Sequence, residues 1–393
     1  MRNLTRCVHQ PAVSHEGFAA LVPGVHRAST IVFASAQDYR DRKQRGPDGY
    51  SYGLNGTPTA RVLEAQIAAL EGAAHCTLMP SGMSAISLVM LAVLRQGDRV
   101  LIPDSVYPPV RKFCATMLAG LGIAHSIYRP DASDLPGLLG ADVRLIWMES
   151  PGSTTMEVQD LRAIAALARA HGILTGCDNT WATPLLLRPL ELGVDIAMQA
   201  LTKYAGGHSD ILMGSVAVND RDLYLRLKEA RTTLGINVSP DDCSLALRGL
   251  ASMGVRLAHA GRVALELAGH LRSFASVRRV LHPAFTDCDG SAIWAREASG
   301  HSATFTVQLE EPSVAVLDAA IEQARFFAIG ASWGGAHSLM VPMTVDDIRN
   351  WPPVPGATYI RLSIGLEDPR DLRDDLDRVF GYLDAALAKA AAP

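Results

Sequence analysis

The sequence predicts an α/β protein in which a mostly parallel central sheet is covered on both faces and followed by a smaller C-terminal α+β domain. Three observations lead there. Short apolar runs (RVLIPD, VRLIWMES, GILTGCDN, VDIAMQAL) alternate with helical patterns, and strands with apolar residues on both flanks belong to sheets buried between helical layers. Between two of those runs, DLRAIAALARAHG repeats its apolar residues at helical spacing. Beyond about Ser239 the texture changes to a long helical stretch followed by separate strand-like pieces.

Residues 1–50 end in the polar run QDYRDRKQRGPDGY and show weak periodicity, which predicts an N-terminal arm and loop. Residues 51–240 are the expected large domain. Within it Thr57 fits a helix N-cap and Pro58 the first helical position. Leu63, Ile67 and Leu70 recur at helical spacing until Gly72. A second helix is expected from near Ser81, carrying Ile86, Val89, Met90 and Val93 before Gly97. ILMGSVAV reads as a further strand. Residues 241–393 are the expected C-terminal domain, with the helical DDCSLALRGLASMGVRLAHAGRVALELAGHL and the strand-like SATFTVQL and TYIRLSIGL. There is no internal repeat.

The bulk numbers exclude several function classes. The chain has 393 residues, 48% of them apolar and 19% charged, an ordinary globular balance. A formal charge of −4 offers no basic surplus for nucleic acid. No uninterrupted apolar run reaches membrane-spanning length, and MRNLTRCVHQ lacks the apolar core of a secretory signal. Cys7, Cys76, Cys114, Cys177, Cys243 and Cys288 form no C-x-x-C pair, which suits reduced thiols in a cytoplasm. No H-E-x-x-H occurs among the histidines, so no metal site is expected. GLGIAH, at Gly120 to His125, is the nearest approach to a dinucleotide fingerprint; it lacks the third glycine and does not open a helix.

The candidate chemistry lies at the ends of two strands. In AMQALTKYAGGHSD the apolar run leads directly to Lys203, with Gly206 and Gly207 close behind. Asp178 ends GILTGCDN in the same way. Open α/β sheets bind ligands at the carboxyl ends of their strands, so this lysine and aspartate are expected to face one crevice. The pair meets the needs of pyridoxal phosphate, which is held as a lysine Schiff base with an acidic partner on its ring nitrogen. PSGMSAIS offers a small-residue turn into a helix, whose free N–H groups suit a phosphate. Tyr107 follows RVLIPD, where an aromatic ring could stack on the cofactor.

These residues sit in longer motifs: YSYGLNGTPT, PSGMSA, SVYPP, ESPGSTTMEV, DNTWATP, QALTKYAGGHSD, SWGGAHS and IRLSIGLED. On them the chain resembles the cysteine/methionine-metabolism family of pyridoxal-phosphate-dependent enzymes over nearly its whole length. The resemblance implies the fold type I, aspartate aminotransferase-like architecture and a homotetramer of dimers with shared active sites. It implies that Lys203 holds the cofactor and acts as the base, that Asp178 pairs the ring nitrogen, and that Tyr107 is a second catalytic residue stacked on the ring. The N–H groups of Gly82 and Met83, with Thr202, would hold the phosphate, helped by Tyr52 of a neighbouring subunit. Arg361 would grip the substrate carboxylate, with Ser332 and Trp333 at the same end.

ESPGSTTMEV and SWGG favour the carbon–sulfur β-lyase branch, since γ-acting relatives usually have Asn at the position of Ser153 and SLGG at the later motif. The implied reaction is β-elimination, with L-cystathionine giving homocysteine, pyruvate and ammonia, and other cysteine S-conjugates as further substrates. A γ-lyase or γ-synthase on the same fold is the alternative. A non-catalytic cofactor scaffold is a rival of another class, opposed by the intact Lys203, Asp178 and Arg361. Two positions depart from the family's pattern. Leu54 stands where many relatives carry a phosphate-binding arginine. Ala331 stands where related β-lyases often have tyrosine and γ-acting relatives glutamate.

Overall fold

The apolar runs are gathered into two sheets in a computed structural model that describes residues 16–390. Cys7 and the first fifteen residues of the expected arm lie outside the described residues. In the remainder of the arm, the run expected to be loop forms a short helix, Ala36–Arg40, capped by the Ser35 hydroxyl, and then a 3-10 turn, Asp41–Arg45.

Helix α1 (Pro58–Glu71) begins with proline and ends on Gly72 in the left-handed conformation. Thr57 holds the N-cap position, but its side chain makes no capping bond and its buried hydroxyl has no partner. The next strand, β1 (His75–Met79), has no counterpart among the expected elements; five residues with a histidine at the start carry little periodicity. Helix α2 (Gly82–Val93) is capped by Ser81, whose hydroxyl accepts the Ser84 N–H at 3.0 Å. Then follow β2 (Arg99–Pro103), α3 (Pro108–Phe113), β3 (Ala124–Tyr128) and β4 (Val143–Glu149). GLGIAH therefore runs into a strand and opens no helix, as its missing glycine suggests. Helix α4 (Leu161–Ala170) joins β4 to β5 (Leu174–Asp178), followed by β6 (Ile196–Ala200) and β7 (Gly214–Val218). The strand expected over ILMGSVAV is thus confined to its last five residues.

These strands form one seven-stranded sheet in the order β1-β7-β6-β5-β4-β2-β3. The pairs from β6 to β3 are parallel, while β7 is antiparallel to both β1 and β6. The expected mostly parallel sheet is therefore present, with β7 as its one reversed strand. Its central residues, among them Trp147, Ile146, Met198 and Val216, are fully buried. Burial on both faces explains why these strands read as continuous apolar runs and show no alternation.

After α5 (Arg221–Thr233), the 32-residue helix α6 (Pro240–Leu271) leads to the second sheet. Its strands are β8 (Val277–Leu281), β9 (Thr304–Leu309), the two-residue β10 (Ala328–Ile329), β11 (Leu339–Met343) and β12 (Tyr359–Ser363), in the order β10-β11-β12-β9-β8. Helix α7 (Pro369–Ala390) follows the last strand. Leu63 and Ile67 of α1, Leu250 and Leu257 of α6, Phe305 of β9 and Phe380 of α7 share one apolar core. No helix among the described residues is long and apolar enough to cross a membrane.

Polar ties fix the smaller sheet's long β11–β12 connection to the carboxyl edge of the larger sheet. Asp104, just past β2, accepts the N–H groups of Asn350 at 2.8 Å and Trp351 at 2.9 Å, and is itself steadied by Arg111 at 2.9 Å. Buried Arg349 reaches buried Glu157 with both terminal nitrogens at 3.3 Å. Below the turn that carries Lys203, α6 comes within backbone contact: a Cβ on Gly249 would sit 2.2 Å from the Ala205 carbonyl oxygen and 2.3 Å from that of Gly206. Both neighbours are backbone and cannot rotate away. Gly249→Ala is expected to lower stability by about 1–3 kcal/mol through overpacking, measured by urea denaturation. Unchanged stability would mean that α6 can retreat from the turn.

Candidate active site

Because β2, β4, β5 and β6 are mutually parallel and β1 is antiparallel to the reversed β7, the carboxyl ends of all five open on the same edge. A cavity of about 250 Å³ lies there, lined by Ser81, Gly82 and Met83 after β1, Tyr107 after β2, Glu149, Asp178, and Thr202 and Lys203 after β6. Ala331, Trp333 and Arg361 enter it from the smaller sheet's side. This is the crevice that the strand-end rule anticipates.

Lys203 is placed by a tight turn. Its N–H donates to the Ala200 carbonyl at 3.0 Å, and its own carbonyl accepts the Gly207 N–H at 2.7 Å. The amine donates to the Ser332 hydroxyl at 2.8 Å and lies 5.1 Å from the centre of the Trp333 ring. Gly334 makes this approach possible. Its φ is +81°, and a Cβ there would lie 3.2 Å from the Tyr204 nitrogen. Burial pulls the lysine pKa down to about 8, with the Arg361 charge adding to the effect and Asp178 opposing it. A substantial neutral fraction therefore exists near neutrality, and only neutral amine is nucleophilic or basic.

Asp178 accepts the Thr180 N–H at 2.9 Å and also the Thr180 hydroxyl. That hydroxyl in turn accepts the Ala200 N–H at 2.8 Å, so one threonine ties the ends of β5 and β6 together. Burial raises the Asp178 carboxyl, and the Thr180 donors and Lys203 counter it. Arg361, on β12, donates to the carbonyls of Ala331 and Ser332. Burial lowers its pKa, the direction expected of a cation drawn out of water without a carboxylate partner. The guanidinium is thus held by backbone carbonyls, with its charge uncompensated beside the cavity.

At the opposite end, α2 packs directly on β6: a Cβ on Gly82 would meet the Ala200 Cβ at 2.7 Å. Ser81 takes the N–H groups of Ser84 and Ala85 through its hydroxyl and carbonyl. Those of Gly82 and Met83, at the first helical positions, have no acceptor within the helix. Thr202 lines the cavity too, but its hydroxyl exchanges hydrogen bonds with Met213, donating at 3.2 Å and accepting at 3.0 Å. Tyr107 is 45% exposed, with burial and the carboxyls of Glu149 and Asp178 pushing its phenol up.

The structure therefore brings Lys203, Asp178, Arg361, Tyr107, Gly82, Met83, Thr202 and Trp333 to one cavity, and Ser332 reaches it through Lys203. Tyr52 is 54% exposed and is not among the cavity's residues in this chain. Leu54, beside it, has its carbonyl held by the buried Arg231 at 3.3 Å. Glu149 is a cavity residue that the sequence candidates lack. It ends VRLIWMES as Asp178 ends GILTGCDN, so the same strand-end argument applies to it.

A strand-end carboxylate, a lysine partly neutral at neutrality and a helix N-terminus with two free N–H groups suit pyridoxal phosphate. Comparison with known proteins agrees. A family model described as Cys/Met metabolism PLP-dependent enzyme matches residues 4–381. A protein of Rhizobium johnstonii named putative cystathionine beta-lyase is 41% identical over 388 residues, which cover 97% of this chain and 96% of that protein. The cystathionine beta-lyase of Bordetella avium is 39% identical over 355 residues, 89% of each chain. Among solved structures, the cystathionine gamma synthase of Xanthomonas oryzae pv. oryzae in complex with cystathionine superposes with a TM-score of 0.87 at 30% identity, covering 94% of this chain and 95% of that one.

The charges around Lys203 give a pH test. Neutral amine increases as pH rises through about 8, so the rate at which apoprotein captures pyridoxal phosphate should rise over the same range. Arg361→Leu removes a charge that opposes protonation, so the midpoint should move upward. A midpoint that stayed in place or moved down would show that the guanidinium does not act on the amine.

Proposed function

This chain belongs to the Cys/Met-metabolism family of pyridoxal-phosphate-dependent enzymes, and we propose that within it the chain is a carbon–sulfur β-lyase. Its substrate on this reading is L-cystathionine, which with water gives homocysteine, pyruvate and ammonia; other cysteine S-conjugates present the same amino-acid end. The observation that carries the regiochemistry is the surroundings of Lys203 Nζ. Ser332 accepts its hydrogen bond, the Trp333 ring lies beside it, and residue 331 brings only a methyl group. γ-Elimination needs a second proton removed, at Cβ, and Ala331 provides no carboxylate to assist it. The names of the relatives at 39–41% identity point the same way.

Bound pyridoxal phosphate supplies an electron sink conjugated to the substrate's Cα. The protein's side chains do the rest. Asp178 would hold the proton on the ring nitrogen through a charge-assisted hydrogen bond. Gly82 and Met83 would donate their N–H groups to the phosphate, joined by the partner subunit's Tyr52, whereas the Thr202 hydroxyl, expected there from the sequence, gives its proton to the Met213 carbonyl. Tyr107, which lines the same cavity, would pack against the ring. Arg361, already desolvated, takes the substrate carboxylate in a bidentate pair and so fixes the Cα–H bond towards Lys203. The neutral lysine amine removes that proton and, as an ammonium, returns it to the departing sulfur. On the family resemblance the working assembly is a homotetramer of dimers in the cytoplasm; the position of Tyr52, exposed and away from the cavity of its own chain, supports only the sharing of sites between subunits.

Incubation with L-cystathionine should release homocysteine and pyruvate with ammonia; cysteine and 2-oxobutyrate as main products would overturn the β-lyase reading in favour of γ-cleavage. Lys203→Ala should lower turnover by about 10²–10⁴-fold or more, the usual contribution of a positioned proton-transfer group, and should abolish the visible band of the bound cofactor. Asp178→Asn should depress turnover far more than cofactor content, because the amide cannot hold the ring's positive charge. Wild-type rates in either variant would remove that residue from the mechanism.

A further inference from the structure

Glu149 and Asp178 are direct partners across the parallel pair β4–β5, so their side chains leave one face of the sheet from strands about 5 Å apart. Both line the cavity. Two carboxyls this close in a desolvated site do not both ionise readily. Their partners decide which one keeps the charge. Asp178 receives the N–H and O–H of Thr180 and shares the cavity with Lys203. Glu149 receives the Tyr107 N–H on Oε2 at 2.6 Å and contacts the Ser153 hydroxyl through Oε1. The cation on its side, Arg349, is committed to Glu157.

We propose that Glu149 is a proton-bearing positioning residue of the cofactor site, which as a neutral acid holds Tyr107 and Ser153 and leaves Asp178 the one carboxylate facing the ring nitrogen. The acid proton then sits on Oε1 and is donated to the Ser153 oxygen. Oε2, as the carbonyl oxygen, accepts the Tyr107 N–H. Ser153, no longer donating to a carboxylate, has its own hydroxyl proton free for the cavity. Burial raises the Glu149 carboxyl, the negative charge of Asp178 raises it further, and the Ser153 and Tyr107 bonds and Arg349 act against them. The other charged groups at the cavity are Lys203 after β6 and Arg361 on β12, both cationic. Tyr107, Tyr128 and Cys177 are the neutral titratable neighbours, and each is pushed towards its protonated form.

The inference rests on the cofactor assignment and is independent of which carbon–sulfur bond is cleaved. Infrared difference spectra of the holoenzyme, wild type minus Glu149→Gln, test it at neutral pH. The expected result is the carbonyl stretch of a protonated carboxyl in the wild type, missing from the variant. Glutamine reproduces the acceptor for Tyr107 and a donor for Ser153, so cofactor loss on dialysis and the visible band position should stay near wild type. Glu149→Ala removes both contacts and should release cofactor roughly tenfold faster. A spectrum showing only a carboxylate at this residue, or a glutamine variant losing cofactor as fast as the alanine variant, would overturn the proposal. A γ-cleaving enzyme would show the same infrared band, so failure of the β-lyase reading is separately visible.

Discussion

Lys203 leaves β6 through a turn closed by the Ala200 and Lys203 carbonyls, and its amine ends where burial, Arg361 and Asp178 act on its charge in opposite senses. Burial and the guanidinium disfavour the ammonium, whereas the carboxylate favours it. The balance leaves an amine that is available as a base close to neutral pH, which an exposed lysine is not. Each of the three influences comes from a different part of the chain: the turn itself, the end of β5, and β12 of the smaller sheet. A change in how those parts meet would alter the amine's protonation before it altered any contact to a ligand.

The meeting of the two sheets is therefore part of the chemistry. Arg361 and the Ala331–Gly334 segment belong to the smaller sheet's side, and they reach the cavity because the β11–β12 connection is tied to loops of the larger sheet. Asp104 takes two backbone N–H groups from that connection, and the buried Arg349–Glu157 pair fixes it to the loop carrying Ser153. A buried ion pair of this kind contributes little net stability while both partners are present, and loses several kcal/mol when one is removed. Its value here is positional. The loop after β4 and the Arg361 cation beside the cavity are held to a common frame.

Much of this arrangement is legible in the order of residues along the chain. Lys203, Asp178 and Tyr107 follow strand-like runs, and the parallel-sheet rule alone places such residues on one edge. Glu149 obeys the same rule, yet a glutamate at a strand end carries no signal by itself; its meaning comes from lying opposite Asp178. Thr57 shows the converse. Its position before Pro58 is that of an N-cap, yet its hydroxyl is buried without a partner. The strands β1, β3, β8, β10 and β11 leave no clear trace in the sequence, because polar residues or proline interrupt HCTLM, AHSIY, VRRVL and LMVPM and β10 has only two residues.

The sequence by itself determined the architecture and the cofactor chemistry, since apolar periodicity and strand-end residues depend only on local order along the chain. It also identified the family, through motifs spread over nearly its whole length. Tertiary structure decided what those residues do to one another. The reversed strand β7, the depressed Lys203 amine, the spent hydroxyl of Thr202 and the exposure of Tyr52 all depend on segments far apart in sequence. Desolvation and charge–charge effects act over a few ångströms in space, and no spacing along a chain encodes them directly.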